Sequence, residues 1–200
     1  MATSLDDLEA EARGCRACPL WLHATQTVFG EGNPQARVVL VGEQPGDAED
    51  VAGRPFVGPA GKILDRALED AEIERDEIYV TNAVKHFKWE PRGKRRMHKT
   101  PAQQEIAACH RWIESELEAI QPALVVCLGA TAVHALIGKD RTVSSLRGRI
   151  IERPAGPAWL VTVHPSYILR VPPQVHGLVY QSFVADLRLA QPFVGAGQAP

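Results

Sequence analysis

No stretch of about 18 consecutive apolar residues occurs in the 200-residue chain, which excludes a membrane-spanning helix from its sequence pattern. The opening "MATSLDDLEAEARGC" has neither a basic n-region nor an apolar h-region. It reads as a helix capped by Ser4, with Asp7 three residues on, and a cytoplasmic location is the expectation. Charge imbalance is absent too: 22 basic residues face 24 acidic ones, so the chain as a whole has no general attraction for nucleic acid. Internal repeats and inter-domain linkers are missing, and the length suits one globular domain over 1–200. From Gln191 onward "QPFVGAGQAP" has little periodicity, and a fraying tail over 191–200 is expected.

What the sequence does contain is a local charge excess. Seven of the 22 cations fall between Lys85 and Lys99, in and before "GKRRMHKT" (93–100). An anionic partner would be met there rather than over the whole surface.

Four β-branched runs, at 36–43, 77–84, 123–129 and 158–165, read as buried parallel strands. Helical periodicity lies between and after them, at 58–71, 100–120, 129–138 and 177–190. Alternation of this kind predicts a three-layer α/β/α sandwich around a four-stranded parallel sheet. In such sheets ligands sit beyond the carboxyl ends of the strands. The first strand runs into "GEQPGD" (42–47), the second into "NAVKHFKW" (82–89) and the fourth into "HPS" (164–166), so three polar motifs converge on one rim. "GPAGK" is not a phosphate loop, because Ile63 stands where a magnesium-binding hydroxyl belongs.

Cysteine is sparse, with four in all. Cys15 and Cys18 form a C-x-x-C pair, and Cys109 and Cys127 follow with seventeen residues between them. Disulfides do not suit an unexported protein, which points to a metal. A zinc ribbon would have a second C-x-x-C knuckle, so an iron–sulfur cluster is favoured, although spacing alone leaves the metal open. A structural role, tying the N-terminal helix to the region of the third strand, is expected.

"GEQPGDAED", "GRPFVGPAGKILD", "YVTNAVKHFKW" and "TVHPSYILR", taken with the four cysteines, resemble the iron–sulfur uracil-DNA glycosylases of family 4 over roughly Cys15 to Arg188. Gln44, where family 4 has alanine, and the insertion "KRRMHK" resemble the X-type subclass, which becomes covalently joined to the DNA it acts on. The resemblance implies the uracil-DNA glycosylase fold, a 4Fe-4S cluster on Cys15, Cys18, Cys109 and Cys127, and uracil-containing DNA, single- or double-stranded, as partner of a monomer. Phe56 would stack on a uracil rotated out of the strand and Asn82 would read its polar edge. His164 would donate to a uracil carbonyl as the base departs, with Glu43 catalytic and Gln44 and Asp47 shaping the pocket and the basic loop. His98 would capture the sugar, leaving free uracil, while Lys94, Arg95, Arg96 and Lys99 contact phosphates. The alternatives are an ordinary family 4 enzyme in which water is the nucleophile, and a non-enzymatic iron–sulfur DNA-binding protein.

Overall fold

The computed structural model describes residues 4–195. Its elements run α1 (Leu5–Ala12), β1 (Glu31–Gly32), β2 (Val38–Gly42), α2 (Asp47–Ala52), α3 (Pro59–Asp70), β3 (Tyr79–Asn82), β4 (Trp89–Arg92) and β5 (Arg95–His98). There follow α4 (Gln103–Ile120), β6 (Leu124–Leu128), α5 (Ala130–Leu136), α6 (Val143–Leu146), β7 (Ile150–Ile151), β8 (Ala158–Thr162), α7 (Pro165–Ile168) and α8 (Pro173–Arg188). No described helix is long and apolar enough to cross a membrane.

The four expected strands are the parallel centre of the sheet, in the order β3-β2-β6-β8. Two short strands that the sequence does not announce, β1 and β7, add antiparallel edges and make the sheet six-stranded. Two residues each give no alternation to detect, and such short edges leave little unpaired backbone for aggregation. Every residue of β2, β3, β6 and β8 is buried, as expected of strands covered on both faces. On one face Leu40, Val80, Val126 and Leu160 pack against Leu64 and Leu68 of α3 and Phe183 and Leu187 of α8. On the other, Val39, Val41, Val125 and Val161 pack against Ile113 of α4 and Val133 of α5.

Ser4 caps α1 through a reciprocal box: its Oγ accepts from Asp7 N at 3.2 Å, and Asp7 accepts from Ser4 N at 3.4 Å. A third apolar cluster joins α1 to α4 through Leu8, Ala12, Ile106 and Trp112. The last helix starts at Pro173, ahead of the expected 177, because Pro173 fits the first helical turn and Gly177 lies within the helix with open space around it. Residues 191–193 form a 3₁₀ turn, and Phe193 and Val194 pack on the core, so this part of the expected tail is docked; 196–200 lie outside the described residues.

The basic stretch is not a loop. It is a two-stranded hairpin, with Trp89 opposite His98 and Arg92 opposite Arg95, closed by a two-residue turn in which Gly93 has φ +61°. Glycine at the first turn position allows the backbone twist that a tight hairpin needs.

Candidate active site

Register brings the rim motifs together. Gly42 pairs with Asn82, and Leu128 with Thr162, so the carboxyl ends of the four parallel strands lie level. The sheet order reverses between β2 and β6, and a cleft of about 790 Å³ opens there, at the switch point where α/β sheets hold ligands. Glu43, Gln44, Asp47, Phe56, Asn82, His98 and His164 all line it.

Phe56 is buried and sits at φ +55°, a left-handed conformation that bulky residues adopt only under constraint. The constraint comes from below: a Cβ at Gly61 would lie 1.8 Å from the Phe56 carbonyl oxygen, so glycine alone lets the start of α3 pass this close. Gly42 has the same function on the other side, since a Cβ there would meet Asn82 Oδ1 at 2.4 Å and the Phe56 ring at 2.6 Å. The Phe56 and His164 rings are stacked, 6.1 Å apart with a 27° interplanar angle.

Asn82 closes β3, and its side-chain amide has no hydrogen-bond partner among the described residues. Its donor and acceptor are free for a ligand. Its backbone is held instead: Lys85 Nζ donates to the Asn82 carbonyl at 2.9 Å and to Thr81 Oγ1 at 2.5 Å, and pairs with Glu116. Both members of that pair are wholly buried, and Tyr79 and Gly30 N also donate to Glu116. The sequence pattern does not reveal this network, because Lys85 reads as one more member of the basic run.

His164 accepts at Nδ1 from Ser166 N at 3.2 Å, which places the proton of the neutral ring on Nε2. Burial pulls its pKa down to about 4, against the opposing pull of the Glu43 charge. Near neutral pH it is therefore an uncharged N–H donor. Burial alone would raise the Glu43 carboxyl, but hydrogen bonds from His98 and Thr131 outweigh it and hold the group below its ordinary range. His98 Nε2 lies 3.0 Å from Glu43 Oε1, and Thr131 Oγ1 donates to Oε2.

His98 reaches Glu43 because the hairpin is fastened at its base. Gln44 Nε2 donates to the carbonyls of Lys88 and Lys99, each at 3.1 Å, and Gln44 Oε1 accepts from Lys88 N at 3.1 Å. Both donors of this buried amide and one lone pair of its oxygen go to the hairpin backbone, so Gln44 positions the hairpin. Arg96 is likewise engaged. It binds Asp47 at 2.5 Å and the buried Asp50 at 2.6 Å, and lies over the rings of Phe87 and Trp89. A guanidinium held this way is an internal fastener, which departs from the phosphate contact expected of it. Lys94 and Arg95 are exposed at the hairpin tip with no ion pair among the described residues, whereas Lys99 pairs with Glu90 at 3.0 Å.

The cysteines divide three to one. Cys109 belongs to the α1–α4 cluster, against which Cys15 and Cys18 pack. Trp112 Nε1 donates to Cys15 Sγ at 3.3 Å and Lys85 N to Cys109 Sγ at 3.2 Å, the N–H···S pattern that tunes cluster sulfurs. Burial pushes the Cys109 thiol up to about 11, so it is no nucleophile without a metal to deprotonate it. Cys127, in contrast, is fully buried in the middle of β6, packed with the Val125 and Val161 face of the sheet. The structure does not bring it to the other three, contrary to the implied ligand set. Among the described residues no three potential ligands enclose a single metal ion.

His86 stands closer to the three cysteines in connectivity. Its neighbour Lys85 supplies the hydrogen bond to Cys109, and its Nε2 lies 3.0 Å from Thr27 Oγ1. Thr27 gives its one proton to the Ala12 carbonyl, which also accepts from Cys15 N, so His86 Nε2 must be the donor and Nδ1 keeps its lone pair. A ring nitrogen anchored by a hydrogen bond, with the other one free, is the usual arrangement of a metal-ligating histidine.

The match to the Uracil DNA glycosylase superfamily covers residues 29–188. The chain belongs to that superfamily. It is 40% identical over 167 residues to the Type-4 uracil-DNA glycosylase of Thermotoga maritima, covering 83% of each chain. With the Type-4 uracil-DNA glycosylase of Archaeoglobus fulgidus the identity is 35%, over 84% of this chain and 85% of the relative. A Type-5 uracil-DNA glycosylase of Thermus thermophilus is 30% identical, over 80% of this chain and 77% of that one. The matched span begins after Cys15 and Cys18 and takes in the whole cleft and its hairpin.

Proposed function

We propose that the protein excises uracil from DNA and is then captured on the abasic sugar through His98. The observation that carries this is the meeting, in one cleft, of an unpaired Asn82 amide, a neutral His164 N–H donor and a His98 imidazole held by an anionic Glu43. A flipped uracil would stack on Phe56 and offer its polar edge to Asn82. As the bond from N1 to C1′ breaks, its electron pair leaves with the base, and His164 Nε2–H stabilises the developing oxyanion without giving up its proton. The sugar is left as an oxocarbenium ion.

A lone pair of the His98 ring then bonds to C1′, and the imidazole proton passes to Glu43. As placed, Nε2 faces Glu43 and gives its proton there, which leaves the Nδ1 lone pair to form the bond. The alkylated imidazole is a poor leaving group, so the enzyme stays attached. Lys94 and Arg95 at the hairpin tip would meet phosphates.

A 4Fe-4S cluster would be held by Cys15, Cys18 and Cys109, with His86 the best-placed fourth ligand. When bound it supplies a covalent tie between α1, α4 and the segment after β3, and no step of the excision passes through it.

Wild-type protein mixed with a uracil-containing oligonucleotide should release free uracil and give a protein–DNA band that survives heat and detergent. His98→Gly should release uracil without the band. Multiple turnovers with no heat-stable band in the wild type would establish instead the water-dependent reaction of an ordinary glycosylase.

A further inference from the structure

We infer that Thr131 is a positioning residue of the reaction, fixing the Glu43 carboxylate so that its other oxygen stays aligned on His98. This rests on the excision chemistry proposed above. Glu43 follows β2 and Thr131 follows β6, the two strands on either side of the switch point, so the contact bridges that point from behind the cleft that Glu43 lines. Thr131 is 4% exposed and its hydroxyl donates to Glu43 Oε2, while His98 Nε2 meets Oε1. Both carboxylate oxygens are therefore engaged, which fixes the plane of the group. A Glu43 held only by His98 could turn about its last side-chain bond and carry the imidazole with it.

The backbone seats the hydroxyl closely. Gly129, at φ +88°, leads into α5, and a Cβ there would meet His164 Cβ at 2.9 Å, so the chain passes close against His164 just before it reaches Thr131. No titratable group is needed at position 131. A threonine has the donor that a carboxylate wants and a methyl that fills the buried side, where serine would keep only the donor and valine only the shape.

The sign of the effect follows from which form the hydroxyl binds. It donates to the ionised carboxylate, which His98 and His164 also face, so losing it raises the Glu43 pKa. One hydrogen bond to a charged group corresponds to an upward shift of about one pH unit.

The test compares Thr131→Val and Thr131→Ser with the wild type. Glu43 titration, followed by carboxyl ¹³C NMR on the DNA-free protein, should move up by about one unit in Thr131→Val and return towards wild type in Thr131→Ser. Single-turnover adduct formation, read at a pH where Glu43 is ionised in every variant, should slow by about tenfold in Thr131→Val and return towards wild type in Thr131→Ser. Should Thr131→Val not fold, Thr131→Ala serves for the same two measurements. An unchanged Glu43 titration and an unchanged rate of adduct formation in a folded hydroxyl-free variant, beside an active wild type, would overturn the role of Thr131. A wild type that releases no uracil would overturn the proposed reaction instead, and leave the NMR shift to decide the contact.

Discussion

Replacing Gln44 with alanine should separate base removal from capture. The buried Gln44 amide makes three hydrogen bonds to the hairpin backbone, two to carbonyls and one from Lys88 N, and alanine removes them all. At about 1 kcal/mol net for each, the seating of the hairpin base weakens by roughly 3 kcal/mol. That is on the order of a hundredfold in the local opening constant. The hairpin should stay folded, because Arg96 still holds Asp47 and Asp50, Lys88 holds Glu105 at 2.7 Å, and Trp89 Nε1 donates to the His23 carbonyl at 2.8 Å. What changes is the aim of His98. A displacement of about 1 Å from an attacking geometry costs on the order of a hundredfold in rate, whereas Phe56, Asn82 and His164 stand on the sheet side and are not attached to Gln44. Amide hydrogen exchange at Lys88, whose N–H donates to Gln44, should therefore accelerate about a hundredfold, and adduct formation should slow at least about tenfold, with uracil release much less affected. Gln44→Glu is the close control: it keeps an acceptor for Lys88 N and turns the donor pair towards carbonyl oxygens into repulsion. Adduct formation in Gln44→Ala within about threefold of wild type, beside faster exchange, would refute the link between hairpin seating and capture.

Two further outcomes follow from the cysteine division and from the His164 environment. Protein purified anaerobically should contain iron and labile sulfide, lost together with stability in Cys15→Ala and weakened in His86→Ala, whereas Cys127→Ala should keep its iron; iron loss in Cys127→Ala with retention in His86→Ala would reverse the ligand assignment. The folded-state pKa of His164 lies near 4, below its ordinary value of about 6.5, so the unfolded chain binds a proton that the folded one refuses. Its contribution should lower stability progressively as pH falls from about 6.5 to about 4, and denaturation midpoints of His164→Gln should depend less on pH over that window.

The strand-end residues were legible because burial on both faces leaves an unmistakable apolar run, and polar residues after such runs have one place to go. Glu43, Asn82 and His164 are found by that rule alone. The hairpin was not legible: Trp89-Glu-Pro-Arg92 contains a proline and no alternation, and its strands are held by Gln44 and Arg96 from outside rather than by an apolar face. Arg96 looked like its neighbours Lys94 and Arg95 because a count of cations cannot tell which side of a strand faces acid. Thr131 carried no signal beyond its place after the third run. Cys127 was a conflict visible in advance, since a strand buried on both faces cannot also present a side chain to a distant cluster, and the run "ALVVCLG" already put it inside the sheet.

The two halves of the cleft are built from materials of different stiffness, and that bears on which step each controls. Phe56, Asn82 and His164 are fixed by parallel-strand register, by glycines that admit no Cβ, and, behind Asn82, by a wholly buried ion pair. Groups placed so firmly suit discrimination, where an unmatched polar edge must remain unmatched because nothing can shift to satisfy it. His98 comes from a hairpin outside the main sheet, fastened by side-chain contacts from Gln44, Arg96, Lys88 and Trp89 and by the carboxylate that His98 faces. Capture needs the imidazole to approach a carbon that only becomes electrophilic once the base has gone, so a side chain on a separately seated element can follow the sugar after the rigid wall has done its work. Loosening the hairpin should cost the adduct first, and loosening the wall should cost uracil.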